Sequence, residues 1–205
     1  MKSLFIVPLL LMSLVSSPSW ALSMNDLVGN DADGLAYQKF TSTPFTGKLN
    51  RGLQRGSFKN GKREGYWEEY RKTGLLFKKG TYKNGKKEGY WEEYRENGQL
   101  SRKGDYKNGK KEGYWEEYYY DSFSIDLSTD FLGMKGVDKL MTSKGDYKNG
   151  KKEGSWEKYR ENGKLLDKGD YKNGKKEGYW EYYNQDGSLE KNRTGTYKNG
   201  QKVSE

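Results

Sequence analysis

The chain has 205 residues, of which 32% are hydrophobic, 33% charged and 15% aromatic, and its formal net charge is +9. The absence of cysteine and histidine excludes disulfides, thiol chemistry and the commonest general base and metal ligand. The low hydrophobic content is typical of disordered chains, but 18 tyrosines and 6 tryptophans indicate a folded protein that buries aromatic rings.

The N-terminal segment has the layout of a secretory signal. Lys2 is followed by an apolar run from Leu4 to Val15 and by a serine-rich stretch that ends at Ala21. The apolar run is shorter than the roughly 20 residues that a membrane-spanning helix needs. We therefore expect residues 1–21 to be cleaved, residues 22–33 to form a short lead, and the protein to be exported to the periplasm or the cell exterior.

An internal repeat occupies residues 34–202. The segment K-N-G-K-[KR]-E-G begins at Lys59, Lys83, Lys107, Lys148 and Lys172, with a degenerate copy at Lys198. The usual interval is 24 residues, and the single interval of 41 is one period plus an insertion of 17. The predicted units are 34–58, 59–82, 83–106, 107–147 with the insertion at 121–139, 148–171 and 172–202, followed by a tail at 203–205.

Each unit is expected to contain two antiparallel strands. Short aromatic-rich runs alternate with turn signals, namely Asn97-Gly98 or Asn162-Gly163 at one end and Lys-Asn-Gly-Lys at the other. Chained hairpins of this kind predict an all-β, elongated antiparallel meander in a single twisted sheet, with rows of Trp and Tyr replacing a thick core. The glycines inside the strands, such as Gly80 and Gly104, indicate either a ring packed on bare backbone or a bulge.

The unit Y-K-N-G-K-K-E-G-Y-W-E-E-Y-R-E-N-G-Q-L resembles the MORN repeat in its bacterial variant form, and the match covers about residues 34–202. The stretch from Gly34 to Leu49 also resembles the start of YwqK-like antitoxins. The resemblance implies an elongated all-β sheet that associates with proteins or membranes without catalysis. Antitoxins usually meet their toxins in the cytoplasm, so the predicted export implies a toxin that acts in the envelope or outside the cell.

Basic residues recur in every return loop and predict a lysine ladder with rungs about 10 Å apart. The candidate anion-binding residues are Lys86, Lys87, Lys110, Lys111, Lys151, Lys152, Lys175 and Lys176. Acidic lipid headgroups, an anionic envelope polymer or an acidic protein would fit such a ladder. The alternative is that the lysines keep the loops soluble, with Glu88 and its equivalents cancelling part of the charge. Nucleic acid is disfavoured because the aromatic residues are followed by glutamate pairs and the chain has an export signal.

The sequence offers no catalytic plan. Neighbouring glutamates such as Glu92 and Glu93 point to opposite faces of a strand and cannot share a site. Asp121, Asp126 and Asp130 lack the residue order of a calcium-binding loop, so neither a metal nor another cofactor is predicted. The aromatic rows could stack sugars, but packing within the sheet accounts for their recurrence.

The insertion is the most apolar part of the mature chain, and insertions into repeat arrays often carry binding specificity. Its candidate partner-binding residues are Phe123, Ile125, Leu127, Phe131, Leu132 and Met134. The alternative is a β excursion with a short helical cap that covers one face of the sheet. The sequence therefore predicts a non-catalytic exported protein that binds another protein, and a toxin is one candidate partner. The alternative is a peripheral adaptor that binds anionic lipid or polymer.

Overall fold

The computed structural model describes residues 22–30, 34–119 and 141–204. The predicted signal segment and the insertion with its six candidate partner-binding residues lie outside the described residues. Within the described ranges the chain is all-β apart from one short 3-10 turn at Met24–Asp26. This confirms the predicted fold class.

The described residues form fifteen strands in succession. The first seven are β1 Leu27–Asn30, β2 Leu35–Gln38, β3 Gly47–Leu49, β4 Gln54–Lys59, β5 Lys62–Tyr70, β6 Leu76–Lys83 and β7 Lys86–Tyr94. The others are β8 Leu100–Lys107, β9 Lys110–Tyr118, β10 Met141–Lys148, β11 Lys151–Tyr159, β12 Leu165–Lys172, β13 Lys175–Tyr182, β14 Gly195–Lys198 and β15 Gln201–Ser204. Strands β3 to β15 form one antiparallel sheet in sequential order, and β1 and β2 form a separate hairpin.

The two ends of each unit turn by different means. In the Lys-Asn-Gly-Lys loops both central residues have positive φ, for example 51° at Asn84 and 78° at Gly85, as a two-residue hairpin turn requires. At the other end only the glycine does, with φ of 83° at Gly98, and the Arg95 N–H donates to the Gln99 carbonyl across a longer loop. Positive φ is therefore found at both the asparagine and the glycine of the Lys-Asn-Gly-Lys loops, and at the glycine alone in the loops at the other end.

An aromatic row runs along one face of the sheet, which we call the ring face. Its members are Phe45, Phe58, Trp67, Tyr82, Trp91, Tyr106, Trp115, Tyr147, Trp156, Tyr171, Trp180 and Tyr197. Successive ring centroids are 4.9 to 6.5 Å apart, and most pairs meet edge to face. Each such pair contributes about 0.5–1.5 kcal/mol beyond the area that it buries. A line of rings thus serves as the core of the sheet in the inner units, whereas at the N-terminal end residues of the separate β1–β2 hairpin pack into the same cluster.

Each of the five tryptophans in the described sheet lies on the bare backbone of a glycine in the neighbouring strand. A Cβ atom on Gly80 would come within 2.3 Å of the Trp91 ring, so this position admits only glycine without a shift of the ring. The strand register also shifts between Gly80 and Thr81. This irregularity leaves the Thr81 carbonyl 3.1 Å from the Trp91 indole nitrogen, which donates to it. The close approach and the bulge that the glycines predicted therefore occur together.

The sheet continues across the insertion. Strand β10 pairs with β9 so that Gly145 lies opposite Trp115, and Gly104 of β8 lies opposite the same tryptophan on the other side of β9. In other units an arginine bridges to the backbone of the next unit, as when Arg95 donates to the Tyr118 carbonyl. Tyr119 stands at the equivalent position before the insertion, and its hydroxyl donates to the Tyr159 carbonyl at 2.9 Å. The contact between units is thus preserved with a different side chain.

The two ends of the sheet differ from the inner units. The lead at residues 22–30 is ordered into the 3-10 turn and β1, and Leu27 is buried in one cluster with Phe45, Leu49 and Trp67. At the other end β15 reaches into the predicted tail, since Ser204 pairs with Thr196. The array therefore begins with aliphatic packing and ends with an open strand.

Replacing Gly80 with alanine should destabilise the sheet by about 1–3 kcal/mol, because the new Cβ overlaps the Trp91 ring. Chemical denaturation followed by tryptophan fluorescence measures the loss. The control is Gly29→Ala, where an added Cβ meets nothing within 4 Å and less than about 0.5 kcal/mol should be lost. Equal losses in both variants would contradict the close-packing role of Gly80.

Candidate binding surfaces

The Lys-Asn-Gly-Lys loops align along one border of the sheet, which we call the turn edge. Each loop stacks on the previous one, since the Gly109 N–H donates to the Lys87 carbonyl at 2.9 Å. The glutamate of each motif also reaches the next loop, as Glu88 accepts from the Asn108 N–H at 2.8 Å. The glutamates are therefore occupied in holding neighbouring loops together, a role that the sequence analysis did not assign to them.

Exposed lysines face each other across every inner turn of this edge. The directly opposed pairs are Lys59 and Lys62, Lys83 and Lys86, Lys107 and Lys110, Lys148 and Lys151, and Lys172 and Lys175. Four of the predicted anion-binding residues, Lys86, Lys110, Lys151 and Lys175, belong to these pairs and are exposed. The turn edge is thus a row of positive charges that the five capping glutamates only partly offset.

The last lysine of each motif, which follows the exposed one directly, lies on the ring face. The Lys87 ammonium is 4.3 Å from the Trp91 ring centroid and 4.5 Å from that of Tyr106, and burial lowers its pKa. It also pairs with Glu93 at 2.9 Å. The residues in the same position are Lys111, Lys152 and Lys176. The eight predicted lysines therefore divide into two groups on different surfaces, and only the first group forms a ladder at the turns.

The spacing of the lysine from the tryptophan could have revealed this division. Lys87 and Trp91 are four positions apart on one strand, so both side chains point to the same face, whereas Lys86 points to the other. A lysine over a tryptophan ring contributes about 0.5–2 kcal/mol, depending on how fully it is desolvated.

The opposite side of the sheet, which we call the tyrosine face, exposes a row of rings. The exposed fraction is 56% for Tyr66, 51% for Tyr90, 50% for Tyr114 and 55% for Tyr179. Ser155 occupies the equivalent position in the fourth full unit. Because equivalent residues lie two strands apart, neighbouring tyrosines are about 10 Å from each other. The row is thus a regular, solvent-facing surface rather than part of the core.

Fixed charges flank the exposed tyrosines. In each inner unit a lysine, a glutamate and a second tyrosine form a set, and Lys144 pairs with Glu157 at 2.8 Å while the Tyr159 hydroxyl donates to the same carboxylate. The hydrogen bonds from Lys144 and Tyr159 lower the pKa of Glu157, and the bond to Glu157 raises the pKa of Lys144. In the preceding unit, burial and then the bond to Glu116 raise the pKa of Tyr118 to about 12. These sets keep both charges ionised at neutral pH.

A recess of about 740 Å³ lies near the border opposite the turn edge, between Arg71, Phe77 and Arg95. Its guanidinium groups are committed to the sheet, since the Arg71 Nη2 atom donates to the Tyr94 carbonyl at 2.9 Å. Its basic residues are therefore structural.

Among the described residues, no group of three or more metal-ligating side chains lies close enough together to hold an ion. Nor does that part of the chain contain a helix with the length and apolarity needed to cross a bilayer.

Comparison with known proteins identifies the repeat. The family model for the MORN repeat matches residues 55–66, 79–90, 103–114, 144–164 and 168–188. The first three matches each cover the end of one strand, the Asn-Gly turn and the start of the next strand. A search of curated protein sequences finds no significant match to the chain. The chain therefore contains MORN repeats, and every match includes a hairpin of the turn edge.

The Glu157 set predicts an acid-sensitive contribution to stability. A glutamate whose pKa is lowered in the folded state stabilises the protein at pH values above its ordinary pKa of about 4.3. This stabilisation is lost as the pH falls through the folded-state pKa. Glu157→Gln should therefore cost up to about 1 kcal/mol at neutral pH, with the difference from wild type closing in acid.

Denaturant melts at several pH values measure this difference. Glu161→Gln, at an exposed loop position, serves as the control and should follow wild type throughout. A pH-independent deficit in Glu157→Gln would show that the carboxylate charge contributes nothing.

Proposed function

We propose that this chain is a non-catalytic interaction protein that binds a protein partner on its tyrosine face. The observation that carries the proposal is the row of four tyrosines that are half exposed although the sheet buries its tryptophans almost completely. Tyrosine is enriched at interaction hot spots because it offers a large, rigid ring with few torsions to freeze, together with a hydroxyl group. The ordered lysine and glutamate pairs beside the rings supply a polar rim.

The repeat type supports this assignment at a coarser level. MORN repeats commonly mediate association with proteins or membranes and are generally non-enzymatic. The described glutamates also have structural roles, since Glu88 caps a turn and Glu157 lies in an ion pair. These roles account for the acidic residues without any catalytic step.

A narrower form of the proposal concerns the partner and its compartment. The resemblance of residues 34–49 to YwqK-like antitoxins supports a toxin as partner, and the signal-like layout of residues 1–21 supports export. An exported antitoxin would neutralise a toxin that acts in the envelope or outside the cell. Co-expression with secreted toxins would test this form, which the broader proposal does not require.

Replacing Tyr90 and Tyr114 together with serine should abolish partner binding, because it removes the centre of the row. The fold should survive, since the chain itself has serine at the equivalent position 155 and the preceding glycine keeps the same φ of 64° there. The measurement is a pull-down from envelope extract with the mature protein, followed by a binding titration with the purified partner.

The matched control carries Lys83→Gln and Lys86→Gln, which alter the turn edge and leave the rings in place. The expected result is one partner that wild type and the lysine variant retain at raised salt and the tyrosine variant loses. A partner that the tyrosine variant binds with unchanged affinity would refute the proposed surface.

The turn edge favours a second candidate, an adaptor for anionic lipid or polymer. Like charges placed directly opposite each other on neighbouring strands destabilise a sheet, yet the lysine pairs recur at five successive turns. A row of this kind suits a polyanion that follows the edge. Binding of a polyanion to the turn edge distinguishes this candidate from the tyrosine-face proposal.

Wild type should bind vesicles that contain anionic lipid, and the affinity should fall steeply as salt rises, because exposed charges are screened over about 8 Å at physiological ionic strength. Neutralising Lys83, Lys86, Lys107 and Lys110 with glutamine should weaken this binding, whereas the tyrosine variant should not. Cosedimentation over a range of salt concentrations provides the measurement. Salt-independent binding, or none to anionic vesicles, would remove the lipid form of this candidate.

A further inference from the structure

The charge pattern of the ring face changes between the third and fourth full units. In the first three, a basic side chain over the tryptophan ring pairs with a glutamate on the same strand. These pairs are Arg63 with Glu69 at 2.6 Å, Lys87 with Glu93 at 2.9 Å and Lys111 with Glu117 at 3.5 Å. In the next two units the glutamate position holds Lys158 and Tyr182. The repeat therefore keeps its basic residue and loses the carboxylate on the same strand, while Asp167 lies directly opposite Lys158 on the neighbouring strand, where an earlier unit has Arg102 opposite Glu93.

Two ring-face lysines are left without a carboxylate at ion-pair distance in the described part of the chain. The Lys152 ammonium lies 3.8 Å from the Trp156 ring centroid, and the Lys176 ammonium lies 4.2 Å from that of Trp180 and donates to the Tyr182 hydroxyl. Burial lowers the pKa of both lysines. A cation in such a place gains more from a counter-ion than one in open water, because the surrounding rings exclude solvent.

A cavity of about 350 Å³ lies between these lysines. Lys158 and Arg193 also line it, and Asp167 is its one acidic residue outside an ion pair. The two glutamates at its rim are already paired, Glu117 with Lys111 at 3.5 Å and Glu157 with Lys144 at 2.8 Å. Arg193 is paired as well, with Glu190 at 3.4 Å, so three lysines and one carboxylate leave a net charge of +2 over a floor of tryptophan and tyrosine rings.

We propose that this pocket binds a carboxylate group, which takes the place that Glu93 and Glu117 fill in the earlier units. In an earlier unit the basic side chains at this place surround a carboxylate of the repeat itself, since Glu93 pairs with both Lys87 and Arg102. Asp167 adds an acceptor for an N–H group next to that carboxylate. The chemistry is thus that of an acidic amino acid, either free as an N-acyl derivative or as a side chain of a bound peptide.

The test uses the mature protein and calorimetric titration with N-acetylglutamate, with a short glutamate-rich peptide and with inorganic phosphate. The decisive variant is Lys158→Glu, which restores the repeat's own carboxylate and occupies the pocket from within. It should weaken carboxylate binding by about tenfold or more, since charge-assisted hydrogen bonds are lost and the site is filled. Because Asp167 lies directly opposite position 158, the new carboxylate should lower the thermal stability slightly, and a cooperative thermal unfolding transition separates occupation of the pocket from misfolding.

The matched control is Lys148→Glu, which makes the same charge change on the turn edge. Retained binding in this control and lost binding in Lys158→Glu support the pocket. Equal binding of the free acid and the peptide then identifies a small-acid site, and binding of the peptide alone identifies a site for an acidic side chain.

Three outcomes would overturn the proposal. The first is equal weakening in both variants, which indicates general surface attraction. The second is binding of phosphate alone, and the third is the absence of saturable binding by any carboxylate probe. None of them bears on the tyrosine face, which lies on the other side of the sheet, so the two proposals fail independently.

Discussion

The contact between each tryptophan and the glycine backbone of the neighbouring strand is the interaction on which the rest of the sheet depends. Because Gly80 has no side chain, the Trp91 ring can lie flat on the strand and donate its indole N–H to the Thr81 carbonyl. The next tyrosine then meets the ring edge to face, and the same arrangement repeats in the following unit. Each ring is thus covered by its neighbours, so a single sheet can exclude water from its indoles without a second layer.

This arrangement leaves the other surfaces free for regular display. The tyrosine face carries an exposed ring in four of the five full units, with Ser155 in the remaining one, beside fixed lysine and glutamate pairs, and the turn edge carries paired lysines. Neither surface is needed to bury the tryptophans. A partner can therefore bind to either one without disturbing the core, as an interaction protein requires.

Departures from the repeat are informative because the pattern is otherwise strict. At position 119 a tyrosine replaces arginine and still reaches the next unit, so the link between units is maintained. At position 158 a lysine replaces glutamate and faces Asp167 on the neighbouring strand, and no described carboxylate lies at ion-pair distance from Lys152. The first change preserves a contact and the second opens a charged cavity. Only the second therefore points to a ligand.

The sequence by itself determined the all-β class, the positions of the turns and the recurrence of glycine inside the strands, because a period of 24 residues with Asn-Gly signals constrains the backbone locally. It also showed that the insertion interrupts one unit without ending the array. Only the tertiary structure assigned Glu88 to the next turn and revealed that Lys152 has no carboxylate at ion-pair distance among the described residues. These features depend on which residues face each other across strands, and the bulge after each glycine shifts that register. No local pattern of residues specifies the distance between side chains on neighbouring strands, so the surfaces could not be read from the sequence alone.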